Sequence, residues 1–552
     1  MSASANTGWP TAILATLGPR STPHSEAERQ QQEIPMQMTQ ALTRAVQTRR
    51  NHTATIFAHR KRTWAEVGQR VPRAAAAFRA LGLAPGDRLG ILALNSDNYI
   101  EIFFAAAWAN LVLVPLNTRW AVPENIYTLD DAQCKALIVD DAFVPQVPQL
   151  LAGHAMAHVI HAGEGAAPAG LLGYEALIAD TPPMADECGR DDELCGIYYT
   201  GGTTGHPKGV MLSHKNFISA SVNWIATLHF SEDTVYMHSA GLFHLAGCSP
   251  AIALTLAGGT HVCLPKFDAV LAFDAIQTHR VNYCLFVPTM VNMMVNHPDF
   301  SRYDLTSVRY CEYGASPMPV PVLAAAMEKL PTWEFIQGYG MTESAALTVS
   351  LPWRYHFDQE GMPSKRLAAG RAAYGMDVRI VDEEGTEVPR GTHGEIAVRG
   401  AQVMIGYWRK PEATAAALRN GWLHTGDAAY MDEDGFVFIV DRVKDMIISG
   451  GENIYSREVE NAVHSHPAVR DCAVIGIPNE AWGESVHAVV VLKEGQIAAE
   501  KDIIDHCRTK IAGYKVPRSV TFTDSLPLSG AGKIMKNVLR EPFWKGRTRA
   551  VN

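Results

Sequence analysis

Short apolar runs alternate with longer stretches of helical periodicity through the first two thirds of the chain. Many of these runs are apolar at consecutive positions, as the strands of a buried parallel sheet are. The alternation therefore predicts an α/β fold in which helices cover parallel-type sheets. The strands predicted in this way span residues 88–94, 111–116, 136–139, 197–199, 261–264, 283–287 and 308–313.

The pattern changes near Tyr374, where closely spaced strands are separated by turn sequences such as Asp432-Glu433-Asp434-Gly435. This spacing predicts a distorted, more antiparallel β subdomain. After a charged segment at 441–445, the chain carries a separate α+β pattern: a helix from Ser456, strands over 469–477 and 486–492, and a helix near 501–510. We expect a large N-terminal domain over residues 36–443 and a small C-terminal domain over 444–552, which the family resemblance described below implies is mobile.

Composition narrows the class of protein. The 552 residues exceed one ordinary core, and 57 acidic against 48 basic residues, with no basic run, argue against a nucleic-acid partner. Nine cysteines without a Cys-x-x-Cys pair favour buried thiols in a reducing compartment. Residues 1–35 lack the basic start and apolar stretch of a signal peptide and are predicted to be a disordered extension. These features predict a cytoplasmic protein.

One segment, residues 239–264, contains no Asp, Glu, Lys or Arg and is long enough to span a bilayer. However, His244, Pro250 and the Gly258-Gly259 pair divide it into a loop, a helix and a strand. We therefore predict no membrane span.

Residues 199–208, Tyr-Thr-Gly-Gly-Thr-Thr-Gly-His-Pro-Lys, directly follow a predicted strand. Glycines allow the backbone to approach a ligand closely, threonine hydroxyls donate hydrogen bonds, and Lys208 supplies a positive charge. The segment is not a Walker loop, because Gly209 follows Lys208 where that motif has Ser or Thr. The combination predicts a polyphosphate-binding loop at the carboxyl end of a strand, formed by Thr200, Gly201, Gly202, Thr203, Thr204, Gly205 and Lys208.

Four further motifs follow in order along the chain. Residues 337–344, Gln-Gly-Tyr-Gly-Met-Thr-Glu-Ser, combine an aromatic face, glycines, a hydroxyl and a carboxylate, which suits a nucleotide with magnesium. Residues 421–427, Gly-Trp-Leu-His-Thr-Gly-Asp, place a carboxylate in a tight turn. Residues 448–454 contain a Gly-Gly pair, and residues 529–533, Ser-Gly-Ala-Gly-Lys, hold a lysine on a flexible loop. Taken alone, residues 337–344 fit a Gly-rich loop leading into a helix as well as they fit a nucleotide site, and each of the other three motifs would be read as a turn or a solvated loop.

Together and in this order, the five motifs resemble those of the adenylate-forming enzymes, the superfamily of acyl-CoA synthetases, peptide-synthetase adenylation domains and beetle luciferases. The resemblance covers nearly everything after Met36. It implies that Tyr339 packs on adenine, Thr342 contacts the α-phosphate and Glu343 holds magnesium. It also implies that Asp427 and Arg442 bind the ribose and that Lys533 is the catalytic lysine. Gly338, Gly340 and Met341 complete the implied nucleotide site.

The same resemblance places a hinge at Lys444 and assigns the Gly450-Gly451 loop and Trp482 to the coenzyme A side of the site. Gly201 stands where many members have serine, which removes one hydroxyl contact. The residues implied for the acyl pocket are Phe243, His244, Gly314, Ala315 and Ser316, together with Gly338. Met290, Met293 and Met294, at helical spacing, are predicted to be core residues.

The sequence therefore predicts an AMP-forming carboxylate:CoA ligase that uses ATP, Mg²⁺ and coenzyme A. Three alternatives stay open at this point: transfer of the acyl group to the phosphopantetheine of a carrier protein, a luciferase-like oxygenase, and a noncatalytic nucleotide-binding protein. Fatty and aromatic acids both fit an apolar pocket, and the sequence also leaves open whether the chain forms a homodimer.

Overall fold

The structure is a computed structural model that describes residues 36–152, 156–200, 207–316, 318–360, 362–442, 445–449, 452–480, 482–528 and 534–545. Several predicted site residues lie outside these ranges. They are Gly201, Gly202, Thr203, Thr204, Gly205, Lys444, Gly450, Gly451 and Lys533. The predicted extension over 1–35 also lies outside them.

The strands, in chain order, are β1 Thr53–Phe57, β2 Arg60–Thr63, β3 Arg88–Leu92, β4 Val112–Pro115, β5 Cys134–Val139, β6 His158–His161, β7 Leu172–Gly173, β8 Leu194–Thr200, β9 Lys208–Ser213, β10 Val235–His238, β11 Thr260–Cys263, β12 Tyr283–Phe286, β13 Tyr310–Gly314, β14 Glu334–Tyr339, β15 Val349–Leu351, β16 Arg371–Ala372, β17 Met376–Val381, β18 Gly394–Gly400, β19 Gly406–Tyr407, β20 Leu418–Arg419, β21 Trp422–Met431, β22 Val437–Arg442, β23 Ile447–Ser449, β24 Glu452–Ile454, β25 Val469–Asn479, β26 Gly483–Leu492 and β27 Ser519–Phe522.

The α-helices are α1 Gln40–Arg49, α2 Trp64–Ala80, α3 Asp97–Trp108, α4 Val122–Ala132, α5 Val147–Leu151, α6 Tyr174–Asp180, α7 His214–Leu228, α8 Leu245–Ala257, α9 Ala269–His279, α10 Pro288–Val295, α11 Val320–Lys329, α12 Pro411–Ala417, α13 Ser456–His464, α14 Glu500–Arg508 and α15 Lys536–Trp544. A 3₁₀ turn spans Thr342–Ser344.

The N-terminal part of the chain contains two large sheets of mainly parallel strands. One has the order β19-β9-β8-β4-β3-β5-β6-β7 and the other β16-β15-β14-β13-β12-β10-β11-β1-β2. Strand β12 pairs in parallel with β10 and β13 and is buried at every position, which explains its consecutive apolar residues. Each of the strands predicted from the sequence is observed, with ends shifted by a few residues.

The strands after Tyr374 form the predicted antiparallel sheet, in the order β17-β18-β21-β20, with β22 paired to β21. Helix α7 is hydrogen-bonded to residues 401–403, which follow strand β18 of this sheet. Asn216 caps α7 with Ser213, and its side-chain amide also donates to the carbonyl groups of Ala401 and Val403. This link fixes the subdomain against the large sheets.

The C-terminal part contains a sheet of order β24-β23-β26-β25, with β27 paired to β26 and helices α13 to α15 beside it. The predicted helix from Ser456 and both predicted strands are present, and the helix predicted near 501–510 is α14. The core of this part is a separate cluster around Ile447, Val474 and Val490.

Residues 239–264 form a loop, α8 and β11, as predicted. Within the described ranges, no helix combines the length and apolar character that crossing a bilayer requires. The prediction for the methionines was partly wrong: Met290 and Met294 are buried, but Met293 is 55% exposed on the outer side of α10. Helical spacing alone does not place a third residue on the buried side of so short a helix.

Candidate active site

The two ends of the predicted phosphate loop are adjacent. Strands β8 and β9 form an antiparallel pair in which Thr200 lies opposite Lys208, so residues 201–206 connect neighbouring strands. Strand β8 also runs parallel to β4, so the loop leaves the carboxyl end of a parallel strand, as expected for a ligand site. Thr200 and Lys208 are therefore brought together at the mouth of this hairpin.

Lys208, Tyr407 and Glu343 form one polar group. The ammonium nitrogen of Lys208 lies 5.0 Å from the centre of the Tyr407 ring, and the Tyr407 hydroxyl donates a 2.8 Å hydrogen bond to Oε1 of Glu343. Burial, followed by the nearby Glu343 carboxylate, raises the pKa of Tyr407, so its hydroxyl stays a donor. The motif residue Glu343 is thus held in place by a residue 64 positions away that the sequence analysis missed.

The segment around Tyr339 has little room for larger residues. Tyr339 ends β14, and Gly340 passes so close to the carbonyl of Ala346 that a side chain at 340 would collide with it. Thr342 and Glu343 follow in the 3₁₀ turn, and both are buried. The main-chain amide of Met404 donates to the Glu343 carbonyl, which joins the turn to the chain leading to β19.

Asp427 meets this segment from the antiparallel sheet. Its Oδ2 accepts a 2.7 Å hydrogen bond from the Tyr339 hydroxyl, and in the β21–β22 pair Asp427 lies opposite Arg442. The predicted adenine platform and ribose acceptor are therefore neighbours. The pairing of β21 with β22 places the main chain of Arg442 beside that of Asp427.

Asp427 lies within strand β21 and not in the tight turn that the sequence predicted, and the pairing of β18 with β21 has an irregular register just before it. A carboxylate that the sequence analysis did not identify shapes this irregular stretch. Oε1 of Glu395 accepts the Gly426 amide at 2.8 Å, and Oε2 lies 2.7 Å from Nδ1 of His424. Gly426 has a φ of +74°, which favours glycine, and the Glu395 bond holds that conformation. No local motif signals Glu395, because it lies in β18, about 30 residues before the stretch of β21 that it contacts.

The residues assigned to the acyl pocket lie at the ends of β13 and β14 and in the loop before α8. Gly314, at the end of β13, is the register partner of Gly338 in β14, and Ala315 follows with a φ of +63°. Phe243 and His244 precede α8, and Nδ1 of His244 accepts the Ala246 amide at 3.2 Å, so this histidine caps the helix. Ser316 follows Ala315 and is partly buried.

Asn95 positions the loop that carries Phe243 and His244. Its side-chain amide donates to the carbonyl groups of His238 and Ala240, and its Oδ1 accepts the Leu242 amide at 2.8 Å. Asn95 follows β3 of the first large sheet, and it therefore anchors the loop that follows β10 of the second large sheet. The sequence offered no signal for this role.

The C-terminal part contributes Arg457. This arginine donates a 3.0 Å hydrogen bond to the Ile439 carbonyl, and its guanidinium interacts with the charges of Asp441 and Asp427. Burial lowers the pKa of Arg457, and these carboxylates oppose that shift. Trp482, by contrast, is 57% exposed, and its main-chain amide donates to the side chain of Asn479.

A single buried carboxylate fits what magnesium requires when a nucleotide supplies the other oxygens. Glu343 is such a group, and one of its oxygens is oriented by Tyr407. The described residues contain no group of three or more side chains that could hold a metal ion by themselves. Glu343 therefore fits a site in which phosphate oxygens of a nucleotide supply the other ligands of Mg²⁺.

Comparisons with known proteins agree with this geometry. The chain is 41% identical over 485 residues to a feruloyl-CoA synthase from an Amycolatopsis species, covering 87% of this chain and 94% of the relative. It is 36% identical over 506 residues to the fatty acid–[acyl-carrier-protein] ligase ScoC of Streptomyces coeruleorubidus, covering 90% and 95%.

Among solved structures, the anthranilate CoA ligase AuaEII in complex with anthranoyl-AMP superposes with a TM-score of 0.84 at 28% identity, covering 93% of this chain and 98% of the ligase. Residues 42–408 match the AMP-binding enzyme family, and residues 458–533 match the AMP-binding enzyme C-terminal domain. The chain is an enzyme that belongs to the AMP-binding enzyme family.

Proposed function

We propose that the protein is an AMP-forming acid:thiol ligase that activates a carboxylic acid with ATP and transfers the acyl group to coenzyme A. The observation that carries the proposal is the convergence of three separate segments of the chain: β9 with Lys208, β14 and its following 3₁₀ turn with Tyr339 and Glu343, and β21 with Asp427. Such a convergence supplies a cation, a metal-binding carboxylate, an aromatic face and a ribose acceptor within one site.

In the first step, an oxygen of the substrate carboxylate attacks the α-phosphorus of ATP. The new carboxyl–phosphorus bond forms as the bond from the α-phosphorus to the pyrophosphate oxygen breaks, giving acyl-AMP and pyrophosphate. We assign Thr200, Lys208 and the intervening loop to the phosphates, Tyr339 to adenine, and Asp427 with Arg442 to the ribose. Gly338, Gly340 and Met341 line the nucleotide, and Thr342 contacts the α-phosphate.

Mg²⁺, held by Glu343 and phosphate oxygens, would neutralise charge on the phosphates. Lys533 is assigned to the charge that develops between the attacking carboxylate and the α-phosphate. Because a carboxylate oxygen is a poor leaving group, activation as a mixed anhydride makes the later attack by a thiol feasible.

In the second step, the thiol sulfur of coenzyme A attacks the acyl carbonyl, the thioester bond forms, and AMP leaves. We assign to this step a rotation of the C-terminal domain about Lys444, which withdraws Lys533 and brings in the Gly450-Gly451 loop and Trp482. One site thereby serves two reactions, with domains that we place at 36–443 and 444–552.

The test is mass spectrometry of the products formed with Mg-ATP, coenzyme A and a panel of fatty and aromatic acids. Acyl-CoA together with AMP is the expected result. If ATP is consumed without any acyl-AMP or acyl-CoA, the proposal is wrong. Lys533→Ala should lose adenylation by about 3 kcal/mol but retain thioester formation from supplied acyl-AMP; equal loss of both steps would reject the role of Lys533.

A second candidate acceptor is the phosphopantetheine thiol of a carrier protein, because a relative with 36% identity is named as an acyl-carrier-protein ligase. Offering coenzyme A and a holo carrier protein at equal concentration separates the two. We expect the label from a radioactive acid to appear on coenzyme A, and label on the carrier protein alone would favour the second candidate.

A further inference from the structure

One face of the β13-containing sheet combines an apolar core with polar groups that the proposed mechanism does not use. Residues Tyr236, Tyr283, Leu285 and Ile336 point to this face and share a core cluster with α7 and α8. Residues next to these positions in the strands point to the opposite face and belong to a different core cluster; they include Met237, Cys284 and Cys311. Glu312, the register partner of Leu285 and Ile336, therefore points toward α7 and α8.

Glu312 is only 4% exposed, yet its carboxyl group has no ion pair or hydrogen bond with any described residue, and Oε2 is completely buried. Burial raises the pKa of Glu312 well above its ordinary value. A buried carboxyl group without a hydrogen-bond partner lowers the stability of the fold, and an apolar side chain of similar size would avoid this loss. The loss is explained if a ligand supplies the missing partner.

The hydroxyl of Tyr283, on the neighbouring strand, is also buried and has no hydrogen-bond partner among the described residues. Tyr283 lies two residues before Leu285, the register partner of Glu312, so the two side chains occupy diagonal positions on the same face of adjacent strands. Burial, followed by Glu312, raises the pKa of Tyr283. The ring of Tyr236 stacks on that of Tyr283 with centres 5.7 Å apart, and burial, followed by Glu312, raises the pKa of Tyr236 as well. We call Glu312, Tyr283 and Tyr236 the polar cluster.

The polar cluster borders the residues that we assign to the acyl pocket. Oε1 of Glu312 lies against the α-carbon of Gly338, in the space that a β-carbon at position 338 would fill. Gly338 is in turn paired with Gly314 across β13 and β14. Glycine at both positions allows this close approach at the edge of the assigned acyl pocket, because a side chain at 314 would collide with the Gly338 carbonyl and one at 338 with Oε1 of Glu312.

We propose that Glu312, with Tyr283, determines specificity by binding a hydrogen-bond donor on the acid, and that the preferred substrates are aromatic acids with a hydroxyl or amino group remote from the reacting carboxylate. This inference rests on the proposed function and on the assignment of Gly314 and Gly338 to the acyl pocket. It deepens that function by choosing aromatic acids with a polar end over plain fatty acids.

The experiment compares kcat/KM for acids that differ only at the remote end: 4-hydroxycinnamate and 4-aminocinnamate carry a donor, and 4-methylcinnamate does not. For the natural protein, we expect one or both donors to exceed the methyl compound by about 10- to 100-fold, because a site built around a polar group rejects a ligand that leaves it unpaired. The better of the two donors identifies the group recognised.

Glu312→Met should reduce this preference to within about threefold and retain turnover of 4-methylcinnamate, whereas Glu312→Gln should keep much of the preference. Glu334→Gln is the matched control, since Glu334 lies on the adjacent strand but pairs with the exposed Arg309. An unchanged preference in Glu312→Met would overturn the inference, as would faster turnover of octanoate than of any donor acid by the natural protein.

A binding measurement separates failure of this inference from failure of the proposed function. Nonhydrolysable acyl-sulfamate analogues of the hydroxy and methyl acyl-adenylates are added, and the melting temperature is recorded. A larger shift with the hydroxy analogue that disappears in Glu312→Met supports the inference. Equal shifts with the two analogues mean that water satisfies Glu312. This result overturns the inference about Glu312 but agrees with the proposed ligase function. No shift with either analogue rejects both.

Discussion

The hydroxyl of Tyr339 donates a 2.7 Å hydrogen bond to Oδ2 of Asp427, and the two residues lie 88 positions apart. Tyr339 ends a strand of a large parallel-type sheet, whereas Asp427 belongs to the antiparallel sheet. The bond therefore joins two units of the fold at the point where we place the adenosine of ATP. It fixes the distance between the proposed adenine platform and the proposed ribose acceptor.

Tyr339→Phe keeps the aromatic face and removes only this hydroxyl. Because a hydrogen bond to a charged group contributes about 1.5–3 kcal/mol, we expect the KM for ATP to rise by about 10-fold or more, with a smaller change in kcat. Steady-state kinetics with ATP as the varied substrate measures this. Tyr355→Phe is a suitable control, since its hydroxyl bonds to arginines outside the motif. An unchanged KM for ATP would show that the bond does not position the nucleotide.

The bond between Tyr407 and Glu343 leads to a prediction about magnesium. Without the Tyr407 hydroxyl, Glu343 loses the 2.8 Å contact that orients it, and loss of such an outer contact costs about 10-fold in metal affinity. Tyr407→Phe should therefore need about 10-fold more Mg²⁺ for half-maximal pyrophosphate release at saturating ATP. Tyr430→Phe, whose ring stacks on Phe438, provides the control. A lower maximal rate at an unchanged Mg²⁺ requirement would contradict the proposed role of Glu343.

The strands and the order of the motifs could be read from the sequence, because buried parallel strands are apolar at consecutive positions and because Gly-rich segments are local. Tyr407, Glu395 and Asn95 could not be found in that way. Each acts through contacts with residues distant in the chain, and nothing in their own neighbourhood reports the partner. Glu312 looks like an ordinary strand residue until the fold buries it.

The buried pair His238 and His261 predicts a loss of stability in acid. Nε2 of His238 lies 2.9 Å from Nδ1 of His261, and burial lowers the pKa of His238 to about 3 and that of His261 as well. A histidine whose pKa falls on folding contributes stability above pH 6.5 that is lost as the pH drops toward its folded pKa. The free energy of unfolding should therefore decrease steadily between pH 6.5 and 4.

Urea unfolding at pH 7 and pH 5 tests this for the natural protein and for His238→Asn. The variant should be less stable at pH 7 but should lose less stability on going to pH 5, because one buried titrating group is gone. His158→Asn, at a partly exposed histidine on the other large sheet, should show the same loss as the natural protein. Equal losses in all three proteins would mean that other groups control the acid response.

Asp441 links the last strand of the antiparallel sheet to the first helix of the C-terminal part. Its Oδ2 accepts a 2.5 Å hydrogen bond from the amide of Ser456, the first residue of α13, and Arg457 returns a bond to the Ile439 carbonyl. The hydroxyl of Tyr455 lies 3.1 Å from Nδ1 of His393. These contacts stabilise the orientation of the C-terminal part that the structure shows.

Asp441→Ala should therefore change the balance between the two half-reactions. Loss of a helix-capping group costs about 1 kcal/mol, so the step that uses this orientation should slow about fivefold relative to the other step. The rates to compare are ATP–pyrophosphate exchange for adenylation and thioester formation from supplied acyl-AMP. Asp268→Ala removes the equivalent cap from α9 within the large domain and should leave the ratio unchanged. If both variants lower the two rates equally, Asp441 stabilises the fold but does not control domain orientation.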